Sequence, residues 1–541
     1  MTPDAPRRVV QVVPDVAGVR KAFDYVVPPE LGGHVRVGTS VRVRLHNRRV
    51  AGWVVADDVE PPAGVTLQPI LAVRGWGPPP VVVTLARWAA WRWAGPPARL
   101  LGTASAPSLV RSVPPPPPRP APPPIELPAP ADPPGGSAVF GLGVSRWAAL
   151  AADAFGGGER VVRLAPAHDP MDLVMAAAWR GLMVGGDPHG ADPPGVLVLA
   201  PAQDTAARVA SRMRRAGFPV ALLPGQWAQA RAGGCVAVGS RAGAFAPLPV
   251  LGAAVVLDAH DETYYEERAP TWCAWEVVAE RARREGVPCA LVSSCPTQDL
   301  LHERPLVTSP RVDERSGWPA VEVVDRRADD PRSGLYSERL VRLLRWAASA
   351  PGRRVLCVLN RTGRIRLLIC ATCGDPARCE RCGAAVESAA TEAAVLHCPR
   401  CGLDRPHVCA NCGSTRLAAR RVGVSRVREE LEALAKTAVA EVTGDHPRSG
   451  AASSTSSGDR GSGVGDAAVV VGTEAVLHRV EQADAVAFLD FDAELLAPRL
   501  RAAEEALALL ARAARIVARG GRHGDHDDGE GRGGADGRAP G

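Results

Sequence analysis

Four Cys-x-x-Cys pairs are the residues of this 541-residue chain best spaced for chemistry. They are Cys370/Cys373, Cys379/Cys382, Cys398/Cys401 and Cys409/Cys412, with five, fifteen and seven residues between successive pairs. A Cys-x-x-Cys turn puts both sulfurs on one side, and a second pair completes a tetrahedral thiolate shell at about 2.3 Å per bond. Gly374, Gly383, Gly402 and Gly413 follow the pairs, as a knuckle that needs positive φ requires. Eight thiolates make two closed sites for two structural zinc ions and leave no coordination position for catalysis. Pairing neighbours in sequence would give two successive ribbons, whereas nesting joins the first pair to the last and encloses the middle two. A disulfide framework is the competing use, but it belongs to oxidising compartments. A redox Cys-x-x-Cys occurs once, near a βαβ unit, and not four times in succession. The other five cysteines, Cys235, Cys273, Cys289, Cys295 and Cys357, lie in mostly apolar sequence and read as buried small side chains.

The basic residues form a second pattern. From His34 to Val50 there are five arginines, Arg36, Arg42, Arg44, Arg48 and Arg49, and no acid. Ten arginines against five acids stand between Arg361 and Arg421. Such patches suit a phosphate backbone, with a solvated basic face as the plainer alternative. Only Lys21 and Lys436 are lysine. A phosphate-cradling P-loop needs lysine within Gly-x-x-x-x-Gly-Lys-Ser/Thr, but Lys21 is followed by Ala22 and Lys436 is preceded by Ala435. A standard P-loop is absent.

These residues need a scaffold, and the chain is long enough for several domains. Apolar residues make up 46%, so sizeable cores can form. No apolar run of membrane-spanning length occurs and no secretion leader is visible, which points to a cytosolic chain. Residues 1–108 alternate in short apolar runs such as Val9–Val13 and Val41–Leu45, with a helix expected near Val81–Trp93. That pattern predicts a small β-rich domain. A proline-rich stretch over 109–136 reads as an extended linker. From 137 onward, apolar runs at Gly195–Leu199, Cys235–Val238, Ala253–Leu257, Ala290–Ser293, Val355–Leu359, Val469–Val471 and Val486–Leu489 alternate with helical stretches at Thr205–Ala216 and Ser337–Ala347. Continuously apolar strands separated by helices predict a doubly wound α/β sheet, and the length allows two lobes, 137–330 and 331–518. The cysteine-dense insert 370–412 interrupts the second lobe. Ser449–Asp466 reads as a flexible Gly/Ser-rich loop and 519–541 as a disordered tail.

Together these features resemble the PriA primosomal proteins, which restart stalled replication forks. Ala22-Phe23-Asp24-Tyr25 is similar to the family's Thr-Phe-Asp-Tyr, part of a pocket for the 3′ end of a nascent strand. Leu199-Ala200-Pro201-Ala202 and Gly239–Pro247 match motor-lobe segments, and His260-Asp261 with Tyr264 matches the end of an Asp-Glu-Glu-His-Asp-x-x-Tyr stretch. Asn360-Arg361-Thr362-Gly363 precedes the cysteines as Asn-Arg-Arg-Gly does in the family. The resemblance implies two RecA-like lobes and nested metal pairing. Cys370, Cys373, Cys409 and Cys412 would hold one zinc, and Cys379, Cys382, Cys398 and Cys401 the other. It also implies forked or single-stranded DNA as partner, with other primosome proteins, single-stranded-DNA-binding protein and the replicative helicase.

The departures concern ATP. The family's Gly-x-Gly-Lys-Thr is replaced by Ala165-Pro166-Ala167-His168-Asp169-Pro170, and its metal-binding Asp-Glu by Leu257-Asp258, with Ala259 after it. Ser-Ala-Thr-Pro becomes Ser293-Ser294-Cys295-Pro296, Gly-Thr-Glu becomes Gly423-Val424-Ser425, and the expected arginine finger has no counterpart in Ala511–Arg515. Without the aspartate of that pair, replaced by Leu257, to hold Mg²⁺, the transferred phosphoryl charge has no counter-ion. Asp258 and His260 are thus remnants of an ATP site, and neither ATP nor magnesium is expected as a cofactor. The family's winged-helix and final domains have no clear match. A glycine expected in the 3′-end pocket falls on His46. The expectation is a zinc-stabilised restart factor that recognises forked DNA without unwinding it. Phe23, Asp24 and Tyr25 would sense the 3′ end, although Phe23 and Tyr25 also fit a β-domain core pair. The five arginines would contact phosphates. A working 3′-to-5′ helicase and a zinc-ribbon interaction scaffold are the alternatives.

Overall fold

The computed structural model describes residues 8–60, 64–118, 139–140, 143–144, 148–183, 192–326, 329, 334–359, 368–388, 395–419, 424–442 and 465–520. Residues 119–136 of the expected linker, the Asn360–Gly363 motif, Gly423, nearly all of the Gly/Ser-rich stretch and the tail beyond 520 lie outside them. Two compact units form: residues 1–164 with 169–310, and residues 165–168 with 311–541.

The N-terminal part is a six-stranded sheet. Its central strands Val9–Pro14, Ser40–Leu45 and Arg48–Ala56 pair antiparallel. Period-two alternation splits the side chains. Val10, Val12, Val41, Val43 and Val54 enter a core on one face. Val13, Trp53 and Val55 pack on the other against the helices Pro80–Arg92 and Pro97–Ala104. Both helices begin with proline at the first position, where the missing N–H has no helical acceptor to lose. The same apolar cluster continues into the first lobe through Trp227, Trp272 and Trp275. The Trp227 indole N–H donates to the Ala104 carbonyl at 3.0 Å, so sheet, helices and lobe are one packed body.

The first lobe is a seven-stranded, all-parallel sheet in the order Val220–Leu222, Val236–Gly239, Gly195–Leu199, Leu251–Val256, Cys289–Ser293, Glu159–Arg163, Leu306–Thr308. Leu197, Leu199, Ala254 and Val256 join one core, and Val196, Val198, Ala253 and Val255 the other. Both faces are covered by helices, including Met171–Met183 and Gln203–Arg215 on one and Ala274–Glu285 on the other. That double coverage is why the strands are apolar throughout. In the second unit, Val439–Val442, Val469–Gly472, Val355–Val358 and Ala485–Phe488 form a four-stranded parallel sheet. Its residues again divide between two cores. Helix Glu338–Ala348 opens on Ser337, whose hydroxyl accepts from the Leu340 N–H at 3.2 Å. Helix Ala502–Gly520 closes the unit and runs just past 518. The doubly wound α/β class with a β-rich N-terminal domain and a cysteine insert is the observed architecture. Among the described residues no helix is long and apolar enough to cross a membrane.

Candidate metal centres and nucleic-acid interface

Four copies of one backbone knuckle build the insert. In each, the glycine after the second cysteine donates its N–H to the carbonyl of the first cysteine at 2.9 Å, from Gly374 to Cys370, Gly383 to Cys379, Gly402 to Cys398 and Gly413 to Cys409. All four glycines have φ between 71° and 77°, the left-handed region where a Cβ is disfavoured. A ribbon of Leu368–Cys370 against Leu417–Ala419 brings the first pair to the last. A three-stranded sheet of Glu387–Ser388, Val395–His397 and Asp404–Pro406 is built from the chain between the middle pairs and just after Cys401. The sulfurs gather as Cys370, Cys373, Cys409 and Cys412, and as Cys379, Cys382, Cys398 and Cys401, each set within 4.8 Å. This is the nested arrangement. Cross-pair separations are 3.6 Å for Cys370–Cys412 and Cys373–Cys409, and 3.5 Å for Cys379–Cys401 and Cys382–Cys398. A tetrahedron with bonds of about 2.3 Å has edges of about 3.8 Å, while a disulfide needs about 2.05 Å. Both tetrads therefore fit a metal and neither is oxidised. Burial pushes the Cys235, Cys273 and Cys357 thiols up to about 12. They are inert core side chains.

The N-terminal sheet distributes the expected DNA-contacting residues unevenly. Cross-strand partners share a face. Arg42 stands opposite Ala51 and Arg44 opposite Arg49, on the side that carries Trp53 opposite Ser40. Asp24 stands opposite Gln11, on the Val13 side of the same sheet. Arg42, Arg44, Arg49 and Asp24 thus share one face, with the three arginines exposed. One Asp24 carboxylate oxygen is buried with no hydrogen-bond partner among the described residues. Arg48 is opposite Leu45, on the other face. Arg36 lies outside these strands, its guanidinium 4.5 Å from the Trp76 ring centroid. Phe23 and Tyr25 point to the inner core. Tyr25 is 3% exposed and its hydroxyl donates to the Arg44 carbonyl at 3.0 Å. It occupies the core position weighed for it above and braces the arginine strand from behind, while Phe23 is half-buried with the Lys21 ammonium 5.1 Å from its ring. His46 and Asn47 form a two-residue hairpin turn with φ of 44° and 63°, a conformation more often given to glycine.

At the residues expected to be remnants of an ATP site, the strand Leu251–Val256 ends in buried Leu257, and Asp258 turns at φ 49°. Ala259 is buried, with its N–H on the Val292 carbonyl. His260 Nδ1 lies 2.8 Å from the Ser293 hydroxyl. The Tyr264 hydroxyl donates to the Leu257 carbonyl at 2.6 Å. Burial, with Asp258 and Asp261 nearby, holds that phenol well above its usual range, so it stays a donor. Sequence reasoning missed Asp169. Its carboxylate accepts from the Met171 N–H at 3.0 Å, at the start of helix Met171–Met183, and pairs with Arg212 at 2.5 Å. A P-loop presents a helix start of this kind to phosphate. Here the protein's own carboxylate takes it. The signal was the acid two residues before the helix.

A β-rich N-terminal sheet with exposed arginines, two doubly wound α/β sheets and two cysteine tetrads define a multidomain α/β protein with two candidate metal centres. Residues 11–106 match the family model of the PriA 3'DNA-binding domain (3'BD). Replication restart protein PriA of Bacillus subtilis (strain 168) is 30% identical over 302 residues, 53% of this chain and 36% of that protein. Probable replication restart protein PriA of Mycobacterium tuberculosis (strain CDC 1551 / Oshkosh) is 31% identical over 468 residues, 78% of this chain and 66% of that protein. The chain is a divergent relative of the PriA replication restart proteins. It covers between about one third and just under two thirds of the length of these two relatives.

Proposed function

We propose that this protein is a cytoplasmic, nucleoid-associated replication-restart factor. It binds forked or single-stranded DNA through its N-terminal domain, holds two zinc ions in its second lobe and supports primosome assembly without ATP-driven unwinding. The observation that carries the reading is the match of residues 11–106 to a 3'DNA-binding domain. The placement of Arg42, Arg44, Arg49 and Asp24 on one face supports it. The arginines suit phosphates, and the unpartnered Asp24 oxygen suits a terminal hydroxyl donor. Zinc is the metal best matched to closed four-thiolate shells, and its chemistry there is structural. The two tetrads tie the ends of the insert together, which keeps its arginines on an ordered module. Helix Met171–Met183 begins against Asp169, and Leu257 stands where an aspartate would hold Mg²⁺, so the lobe serves as a scaffold. By family likeness the partners are other primosome proteins, single-stranded-DNA-binding protein and the replicative helicase.

One feature favours the second reading, an ATP-dependent 3′-to-5′ helicase: His260 still reaches Ser293, linking the two strand-end loops. Fluorescence anisotropy on the zinc-loaded protein tests the main reading, using a fork with a free 3′-hydroxyl and the same fork ending in a 3′-phosphate. Tighter binding of the hydroxyl end, lost in Asp24→Ala, is expected. Equal affinity for both ends would overturn the 3′-end role, and no binding at all would leave only an interaction scaffold.

A further inference from the structure

We propose that Trp91 is a base-stacking platform for the single strand that the N-terminal domain engages, a contact outside the 3′-end pocket. The inference rests on the DNA-binding role proposed above and places a second element on the strand's path. Helix Pro80–Arg92 buries Val82, Val83, Leu85, Ala86, Ala89 and Ala90. The opposite stripe, Thr84, Arg87 and Trp91, is exposed at the spacing that places residues on one helical face. Trp91 is 77% exposed. Its neighbours Trp88 and Trp93 are only half-buried but are engaged within the fold. Their rings meet edge to face at 5.5 Å, with the guanidinium of Arg284 at 5.6 Å from Trp88 and that of Arg92 at 5.5 Å from Trp93. An indole turned to water carries a large desolvation gain for whatever covers it.

The charge around this indole selects the occupant. From Pro80 to Ser105 the sequence has three arginines and no acid. Arg87 sits one turn before Trp91 on the same exposed face, within side-chain reach. The helix end is also joined to the loop that leads into the 3′-end strand. The Arg20 guanidinium donates to the Ala94 carbonyl at 3.4 Å, and Ala94 N–H bonds back to the Trp91 carbonyl. Lys21 follows and lies beside Phe23. Trp91 is therefore connected to Phe23 and Asp24 through a short basic stretch. Exposed aromatic rings interleaved with cations are how proteins hold single strands without reading their sequence. A protein partner would want an apolar surround, and this one is charged, with Arg87 exposed and Arg92 paired to Glu276 at 3.6 Å.

The test uses the full, zinc-loaded chain and a fluorescein-labelled oligo(dT), with its 3′ end either free or phosphorylated. Trp91→Ala should weaken binding of both strands by about 5- to 150-fold, the range a lost base–aromatic stack spans. Trp91→Phe should recover most of that loss, and Trp91→Leu should not, since leucine is apolar but has no π-face. Because Trp91 contributes little to the core, all three variants should melt with the parent. If Trp91→Ala binds as the parent does while Asp24→Ala loses the free-end preference, the stacking platform is refuted and the 3′-end role survives. If Leu serves as well as Phe, or if Trp91→Ala changes only the oligomeric state, the surface is a protein contact and the inference falls. If the parent binds neither strand, both readings fall together.

Discussion

The basic face of the N-terminal sheet makes a prediction that its register sets quantitatively. Each phosphate neutralised on a single strand contributes about −0.7 to the slope of log affinity against log salt. Strand alternation places Arg42, Arg44 and Arg49 on one face and Arg48 on the other. A triple Arg42→Ser, Arg44→Ser, Arg49→Ser variant should therefore have a slope shallower by about 2, from three contacts at about 0.7 each. Over a fourfold rise in salt, from about 50 to about 200 mM, the parent should lose roughly fifteen- to twentyfold more affinity than the variant. Arg48→Ser should keep the parental slope. Anisotropy titrations of a labelled single strand at four or five salt concentrations measure this directly. Serine at these exposed strand positions removes no core contact, so melting temperatures should stay close to the parent's. A triple variant that keeps the parental slope would refute the assignment of this face to DNA. A slope lost on Arg48→Ser alone would show that the strand lies on the opposite side.

Three further outcomes follow from the packing and the cysteines. Elemental analysis should find two zinc ions per chain, falling to one in Cys382→Ala, because that change opens only the tetrad of Cys379, Cys398 and Cys401. Arg281 is fully buried and donates to the Ala246 and Leu248 carbonyls at 2.7 Å and to Glu285 at 2.8 Å. Arg281→Met should destabilise the first unit by about 2–4 kcal/mol in denaturant unfolding, since it leaves two buried carbonyls without donors and removes one partner of the part-buried Glu285, which keeps the Leu251 N–H. Ser337→Ala should cost about 1 kcal/mol, with the denaturant midpoint of the second unit as the readout, by removing the cap on Leu340.

The parallel strands were legible because burial on both faces forces a continuous apolar run. Gly195–Leu199 is buried at every residue and was bounded to the residue. The edge strand Ala485–Phe488 was read to within a residue, but two other edge strands were not legible. Val220–Leu222 is only three residues long, and Val439–Val442 carries the exposed Glu441, so neither resembles a buried strand. The cysteine spacing could not choose between adjacent and nested pairing, because either gives tetrahedral shells. The choice is made by the ribbon between Leu368–Cys370 and Leu417–Ala419, a long-range contact. The proline tract reads as an extended linker after the N-terminal domain, and nothing in it signals that Trp227 bonds to Ala104 or that one apolar cluster crosses between sheet and lobe. Composition does not encode such packing. In strand Phe23–Val26, Phe-Asp-Tyr reads as a recognition motif, while alternation sends Asp24 to one face and Phe23 and Tyr25 to the other. The loop before Met171 read only as missing glycine and lysine. That Asp169 and Arg212 fill the helix start emerges from side chains forty-three residues apart.

The central claim is DNA binding uncoupled from ATP. The direct measurement is ATP turnover and nucleotide binding by the purified, zinc-loaded protein on a forked substrate with a free 3′ end, with fork binding recorded on the same sample. Saturated fork with neither ATP binding nor DNA-stimulated turnover is the predicted result. Fork-stimulated turnover that disappears in Asp258→Ala or His260→Ala would contradict the account and make this chain a working motor.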